Sequence, residues 1–353
     1  MVRTMARNAS TQRALPEENK STALTSLEIC AGAGGEALGL DRSGFRCIGA
    51  VENDRAACNT LRLNRPRWNV IESDIHAVSG IAFRGVDLLA GGVPCPPFSI
   101  AGKQLGVDDE RNLFPQALRL IQEARPVAVM LENVPGFATQ RFLGYRTDLI
   151  CRLQKLGYGV DWRILNASDF GVPQLRPRFV LVAMKKRYFA RYQWPIATGG
   201  APTVGDTLGD LMASRGWLGI DVWCKNAQVV APTLVGGSKK HGGPDLGPTR
   251  AKQQWKSLGV DGLGIANEPP DETFPLDGRP RLTLRMTARL QAFPDDWEFA
   301  GGKTAAYRQI GNALPPPVAF AVGIAIREAL DGTRMRIQST KLPVLIQPVL
   351  LPA

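Results

Sequence analysis

Four short apolar runs in this 353-residue chain lead straight into glycine, a carboxylate or a thiol: LTSLEI before CAGAGG, CIGAV before Glu52, VDLLA before GGVPCPP, and VAVML before Glu132. A further element delivers Asp74 and Ile75 to a similar turn. Between the runs lie helical periods, such as Phe114, Leu118 and Ile121 within NLFPQALRLIQEA. Short strands alternating with helices predict an α/β fold, a mostly parallel sheet covered by helices on both faces. In such a sheet the ligand crevice lies just past the carboxyl ends of the strands. Gly32, Glu52, Asp74, Cys95 and Glu132 all stand there, so one site gathers them.

The pattern changes after a further strand, FVLVAM. Residues 187 to 280 carry many glycines, prolines and tryptophans with no sustained helical period, which predicts a smaller, loop-rich domain. Helices return with RLTLRMTARLQAF and again from near Ala313, the last of them expected to pack back on the large domain. The expected division is a loose arm at 1–21, a large sheet domain at 22–186, a smaller domain at 187–300, a closing segment at 301–332 and a tail at 333–353.

A formal charge of +11 and an isoelectric point near 9.6 point to a polyanionic partner such as nucleic acid. Residues 187–280 as a whole hold 10 basic and 9 acidic residues, so the excess is no uniform wall. It concentrates in SKKHGGPDLGPTRAKQQWK, residues 238–256, where Lys239, Lys240, Arg250, Lys252 and Lys256 face one acid, Asp245. Six cysteines form no CxxC pair and only two histidines accompany them, so neither a metal site nor a disulfide framework is expected, and a reducing cytoplasm is the simpler compartment. No apolar run reaches the 18 or so residues needed to span a membrane, and the polar start does not read as a secretory signal.

CAGAGG after a strand supplies a tight turn, close backbone approach and a helix amino terminus. Its GAGGEA also fits a loose dinucleotide pattern, and glycines chosen only for packing give the same letters. Glu52 at the end of the second strand can accept both hydroxyls of a ribose, and Asp74 can accept from an adenine amino group. A thiol, rather than a hydride acceptor, stands beside this pocket. Cys95 sits among Pro94, Pro96 and Pro97, which cannot serve in a sheet ladder but can fix a turn that aims a nucleophile. Glu132 is a candidate proton donor or electrostatic partner for a polar ring. Arg176 and Arg178 in QLRPR can hold phosphate or orient that ring.

Together these segments resemble the DNA (cytosine-5)-methyltransferases. CAGAGG is similar to that family's opening glycine motif, VPCPPFSIAGKQ to its catalytic loop, ENV to its glutamate motif and QLRPR to its arginine motif. RLTLRMTARLQAFPDDW and YRQIGNALPPPV are similar to its late motifs, in family order over residues 24 to 330. The resemblance implies a methyltransferase fold with a target-recognition domain in the smaller region, and S-adenosylmethionine as cofactor. It implies catalytic roles for Cys95, Glu132 and Arg178, and cofactor contacts from Cys30, Ala31, Gly32, Gly34, Gly35, Glu52, Asp74, Ile75, Pro94 and Asn312. Duplex DNA is the implied partner, met by Ser99, Arg176, Lys239, Lys240, His241, Arg250, Lys252 and Lys256. The expected enzyme is a monomer of the bacterial modification type, with a restriction endonuclease as functional counterpart. Cys30 and Pro96 depart from the phenylalanine and glutamine common in the family, and Ala313 and Leu314 from its serine and valine. The rivals are a tRNA cytosine-5 methyltransferase, a DNA-binding protein with a decayed site, and a dinucleotide oxidoreductase. The last leaves the thiol, ENV and QLRPR without a role.

Overall fold

The computed structural model describes residues 23–94, 112–237 and 243–332. The first half alternates as the sequence implies: β1 (Thr25–Ile29), α1 (Gly35–Arg42), β2 (Arg46–Glu52), α2 (Arg55–Asn64), β3 (Val70–Glu72), β4 (Leu88–Gly92), α3 (Phe114–Ala124) and β5 (Ala128–Asn133). Then come α4 (Leu143–Lys155), β6 (Tyr158–Asn166), β7 (Pro177–Lys185) and the single turn α5 (Lys186–Phe189). Beyond them lie α6 (Val204–Ala213), α7 (Ile220–Asn226), α8 (Thr249–Ser257), α9 (Leu284–Leu290), α10 (Lys303–Asn312) and α11 (Pro316–Asp331).

The seven strands form one sheet in the order β3-β2-β1-β4-β5-β7-β6. Its first five strands are parallel, and β7 runs antiparallel to both β5 and β6. The apolar runs are continuous because both sheet faces are covered. Leu89, Val129 and Leu131 pack with Phe114, Ile121, Leu149 and Leu153 of α3 and α4 on one face. Their strand neighbours Leu88, Ala90 and Met130 point the other way, onto Leu40 of α1 and Val318, Val322 and Ile326 of α11, as the two-residue strand period requires.

Residues 187–280 hold three helices, more than their glycine and proline content led us to expect. α6 buries Val204, Leu208 and Met212 at four-residue spacing, while α7 and α8 bury one tryptophan each, Trp223 and Trp255. A single buried tryptophan leaves little helical period in the sequence, and the period of α6 is confined to ten residues. Thr203 starts α6 with a reciprocal cap to Asp206. Met286 and Leu290 of α9 and Tyr307 of α10 complete the same cluster. A separate small cluster joins Leu38 of α1 to Ala288, Phe293, Trp297 and Ile310.

The final helix begins at Pro316, not near Ala313. Pro315 disfavours helical backbone at Leu314, so the chain breaks between α10 and α11 and restarts where a first-turn proline is harmless. Lys303–Asp331 together is long and apolar enough by composition to cross a membrane, contrary to the expectation that no apolar stretch reaches that length. Here that apolarity is used in the core, with α11 packed against α1 and the sheet.

Candidate active site

The carboxyl ends of β1, β2, β4 and β5 open on one cleft of about 300 Å³. The turn after β1 is built from left-handed residues, Cys30 and Gly32 at φ 53° and Gly34 at φ 84°. A Cβ on Gly32 would meet no atom within 4 Å, so this backbone faces open space; one on Gly35 would stand 2.3 Å from the Leu314 carbonyl oxygen. The turn is thus open toward the cleft and tight against the segment after α10. Burial, with Glu52, Asp74 and Glu36 adding to it, pushes the Cys30 thiol up to about 12, so this cysteine is inert at neutral pH.

Glu52, the last residue of β2, is fixed by three backbone amides. Its Oε2 accepts from Gly32 N–H at 2.8 Å, and its Oε1 from Asn53 and Asp54 N–H at 2.9 and 2.7 Å. A carboxylate offers about four lone-pair positions, so this one is oriented without being exhausted. Asp74 behaves differently. Its carboxylate accepts from the backbone N–H of His76 at 2.8 Å and meets His76 Nδ1 at 2.6 Å, contacts that hold it below the usual carboxylate range. Ser73 and Ile75 line the cleft and Asp74 does not.

At the other end of the cleft Glu132, in β5, lies in register beside Gly92 of β4. Its Oε1 takes the Arg178 Nε at 2.8 Å, with both side chains about 11% exposed. Burial raises the Glu132 carboxyl while Arg178 and then Arg176 oppose that rise; burial lowers the Arg178 guanidinium while Glu132 opposes it. Asn133, the middle letter of ENV, donates Nδ2–H to the Val93 carbonyl at 2.8 Å. This bond ties β5 to the chain two residues before Cys95. Pro94 lies on the cleft wall; Cys95 and Ser99 lie outside the described residues.

The model for C-5 cytosine-specific DNA methylases matches residues 24–328. Type II methyltransferase M.NaeI of Lentzea aerocolonigenes is 55% identical over 309 residues, spanning 86% of this chain and 75% of that protein. Type II methyltransferase M.NgoMIV of Neisseria gonorrhoeae is 53% identical over 310 residues, spanning 87% and 98%. The chain belongs to the C-5 cytosine-specific DNA methylases. Two solved structures share its fold: a DNMT2 variant from Spodoptera frugiperda (TM-score 0.61, 18% identity, covering 87% of this chain and 100% of that one) and the Entamoeba histolytica methyltransferase EhMeth (0.62, 16%, 89% and 99%).

This methylase therefore transfers a methyl group from S-adenosylmethionine to carbon 5 of cytosine in DNA. The cleft fits that cofactor, with an open glycine turn, a pre-oriented carboxylate at Glu52, and a buried carboxylate oxygen of Glu36 that has no partner among the described residues. Asn312 reaches the cleft from the end of α10, and its Nδ2 donates to the Gly237 carbonyl at 3.1 Å.

Arg176 corrects the sequence-based expectation. It is 0% exposed and cannot meet DNA from there. Its Nη1 donates to the Leu234 carbonyl at 2.8 Å and its Nη2 to the Gly311 carbonyl at 2.7 Å. Gln174 accepts from Leu234 N–H and donates to Gln291, which donates in turn to the Ile310 carbonyl. QLRPR thus supplies one arginine to Glu132 and one to a buried lattice joining the sheet to α9 and α10.

On the basic stretch, Lys239, Lys240 and His241 lie outside the described residues. Arg250 and Lys256 are exposed on α8. Lys252 shares that helix, but its ammonium is held by Asp245 at 2.9 Å and is not offered to a phosphate. The cleft also takes Glu36, Asn53, Asp54, Arg308 and Gln309, none of them in the sequence-based set. Asn53 and Asp54 directly follow the strand-end acid, and Arg308 and Gln309 belong to YRQIGN, so position alone could have flagged these four.

Proposed function

We propose that the enzyme is a Type II modification methylase that flips a cytosine from a specific duplex site and methylates it through a covalent bond to Cys95. The observation that carries this reading is the buried Glu132–Arg178 pair beside Gly92, tied by Asn133 to the strand end that leads into Pro94 and Cys95. Carbon 5 of cytosine is a poor nucleophile until something adds at carbon 6. Cys95 thiolate adds there, and Glu132, whose carboxyl burial raises toward the protonated form, supplies the proton that N3 takes as the ring becomes an enamine. Arg178 holds that carboxyl in place and limits its rise. S-adenosylmethionine, when bound, supplies the electrophilic methyl group. The carbon 5 proton then leaves to a base, the thiolate is expelled and Glu132 recovers its proton. A stacked base is out of reach of this set, so the target must be extruded.

Glu52 is assigned to the cofactor ribose, and Ile75, with Ser73 beside it, to the adenine pocket; Asp74 acts there through the turn it caps. Residues 187–300 are assigned to target recognition, with Arg250 and Lys256 as phosphate contacts and Lys239, Lys240 and His241 as candidate base readers. Relatives named as Type II methyltransferases support a partnership with a restriction endonuclease and action in the cytoplasm. The test is transfer of labelled methyl from S-adenosylmethionine into duplex DNA or tRNA, followed by mapping of modified cytosines on a plasmid. Label in one recurrent duplex sequence is expected. Label in tRNA alone would favour the RNA-modifying reading, and label in neither would remove the proposal.

A further inference from the structure

Glu36 is the second residue of α1 and has no duty in the reaction as derived above. It is only 6% exposed, yet it lines the cleft, and its Oε1 makes no hydrogen bond among the described residues. Burying a carboxylate oxygen without a donor is unfavourable, and native proteins rarely do so without a use for the group. Its place is the reacting end. The adjoining Gly35 abuts Leu314 and Ala313, and Glu132 is near enough to raise the Glu36 carboxyl further.

The neighbouring charges narrow what it can meet. Among the described lining residues, Glu36, Glu52, Asp54 and Glu132 stand against one cation, Arg308. Glu52 has three backbone donors, Asp54 caps α2, and Glu132 holds Arg178; Arg308 faces Asp54 at 3.9 Å. The strand beneath α1 adds another carboxylate, Glu28 of β1, 0% exposed with neither oxygen bonded, and the thiols of Cys30 and Cys47 carry no positive charge. On α11 the arginine nearest α1 is Arg327, which bonds the Ser43 carbonyl at the far end of the helix. A cleft lined mainly by acids, with Glu36 the lining carboxylate that has an unsatisfied oxygen, matches a cationic ligand.

We propose that Glu36 is the counter-ion for the positively charged methionine end of S-adenosylmethionine. The proposal rests on that cofactor, which the family membership establishes. Burial pushes the Glu28 carboxyl up to about 8, and burial with Glu28 and Glu132 beside it drives the Glu36 carboxyl upward as well. An arriving cation favours the ionised form of Glu36 and opposes that rise.

The experiment is titration calorimetry of the Glu36→Gln enzyme with S-adenosylmethionine and with S-adenosylhomocysteine, which keeps the ammonium group but has a neutral sulfur. The variant should bind S-adenosylmethionine about 10- to 100-fold more weakly, the range of a lost charge-assisted hydrogen bond. Loss shared by both ligands assigns Glu36 to the ammonium group, and loss confined to S-adenosylmethionine assigns it to the sulfonium; either supports the proposal. The free variant should melt no lower than the parent, because an unpaired buried acid has been removed, whereas a merely structural carboxylate would lower the melting temperature and spare affinity. Unchanged affinity for both ligands in the folded variant overturns the proposal. If the glutamine variant does not fold, Glu36→Ala takes its place in the same two titrations, and parental affinity for both ligands in that variant would overturn the proposal.

Discussion

Glu52 and Glu132 both end apolar strands, and their partners give them different work. Among the described residues Glu52 is aligned by backbone amides, so its replacement removes a ligand contact and leaves the reacting end intact. Glu52→Ala should weaken S-adenosylmethionine binding by roughly 1.5–3 kcal/mol, read by calorimetry. Glu132→Ala should leave that affinity nearly unchanged and slow single-turnover methylation. Equal loss of affinity with parental turnover of bound complexes would refute this division. Glu28 gives a separate prediction for stability. Its folded-state value of about 8 exceeds the ordinary 4.5, so the folded protein binds the extra proton, and the stabilisation this gives is full below the unfolded value and lost as pH rises through about 8. Urea unfolding should show stability declining between about pH 4.5 and 8, with each unit worth at most ~1.4 kcal/mol. Glu28→Gln should flatten that decline. Of these residues, Glu52 and Glu132 were legible because each closes an apolar run; Glu28 and Glu36 were not, since an acid inside a strand or a first helical turn looks the same whether it is buried or solvated.

At the scale of elements, the two arginines of QLRPR show where a sequence motif stops being informative. They are two residues apart, Arg178 inside β7 and Arg176 just before it. Arg178 meets Glu132, while Arg176 meets carbonyls 58 and 135 residues away in the chain. Partners so distant leave no local trace. Arg176→Met should cost roughly 2–6 kcal/mol of stability, about 1–3 for each of the Leu234 and Gly311 carbonyls left without its donor, while the salt dependence of DNA binding stays at the parental slope. A variant of parental stability with a shallower slope would restore Arg176 to the DNA surface. The strands, α3 and the return of α11 were legible from periodicity. α7 and α8 were not, because each rests on one buried tryptophan held by contacts from elsewhere in the chain, and the four-residue spacing of Val204, Leu208 and Met212 in α6 is too short a stretch to stand out among glycines and prolines.

For the whole molecule, the excess of 11 positive charges bears on DNA through the residues that are free to offer their charge. The α8 helix makes this testable, because its exposed Arg250 and Lys256 share a short element with Lys252, whose ammonium is occupied by Asp245. Arg250→Ala and Lys256→Ala should each lower the slope of log affinity against log salt by about 1, for target and non-target duplexes alike. Lys252→Ala should change the slope by much less and mainly loosen the Asp245 turn. Equal effects from all three would show that Asp245 releases Lys252 to the phosphates.

The same molecule-wide organisation brings the strand ends, the closing segment and the arginine edge to one cleft, and the central claim is that this cleft drives covalent attack on a flipped cytosine. Its most direct measurement is trapping on duplex DNA carrying 5-fluorocytosine at the target position, with S-adenosylmethionine present. Fluorine cannot leave carbon 5 as a proton does, so the thiolate is not expelled. The parent enzyme should form a denaturation-resistant protein–DNA adduct that maps to Cys95, and Cys95→Ser should form none. Absence of any adduct from an enzyme that methylates the unfluorinated site, or full methylation by Cys95→Ser, would contradict the account.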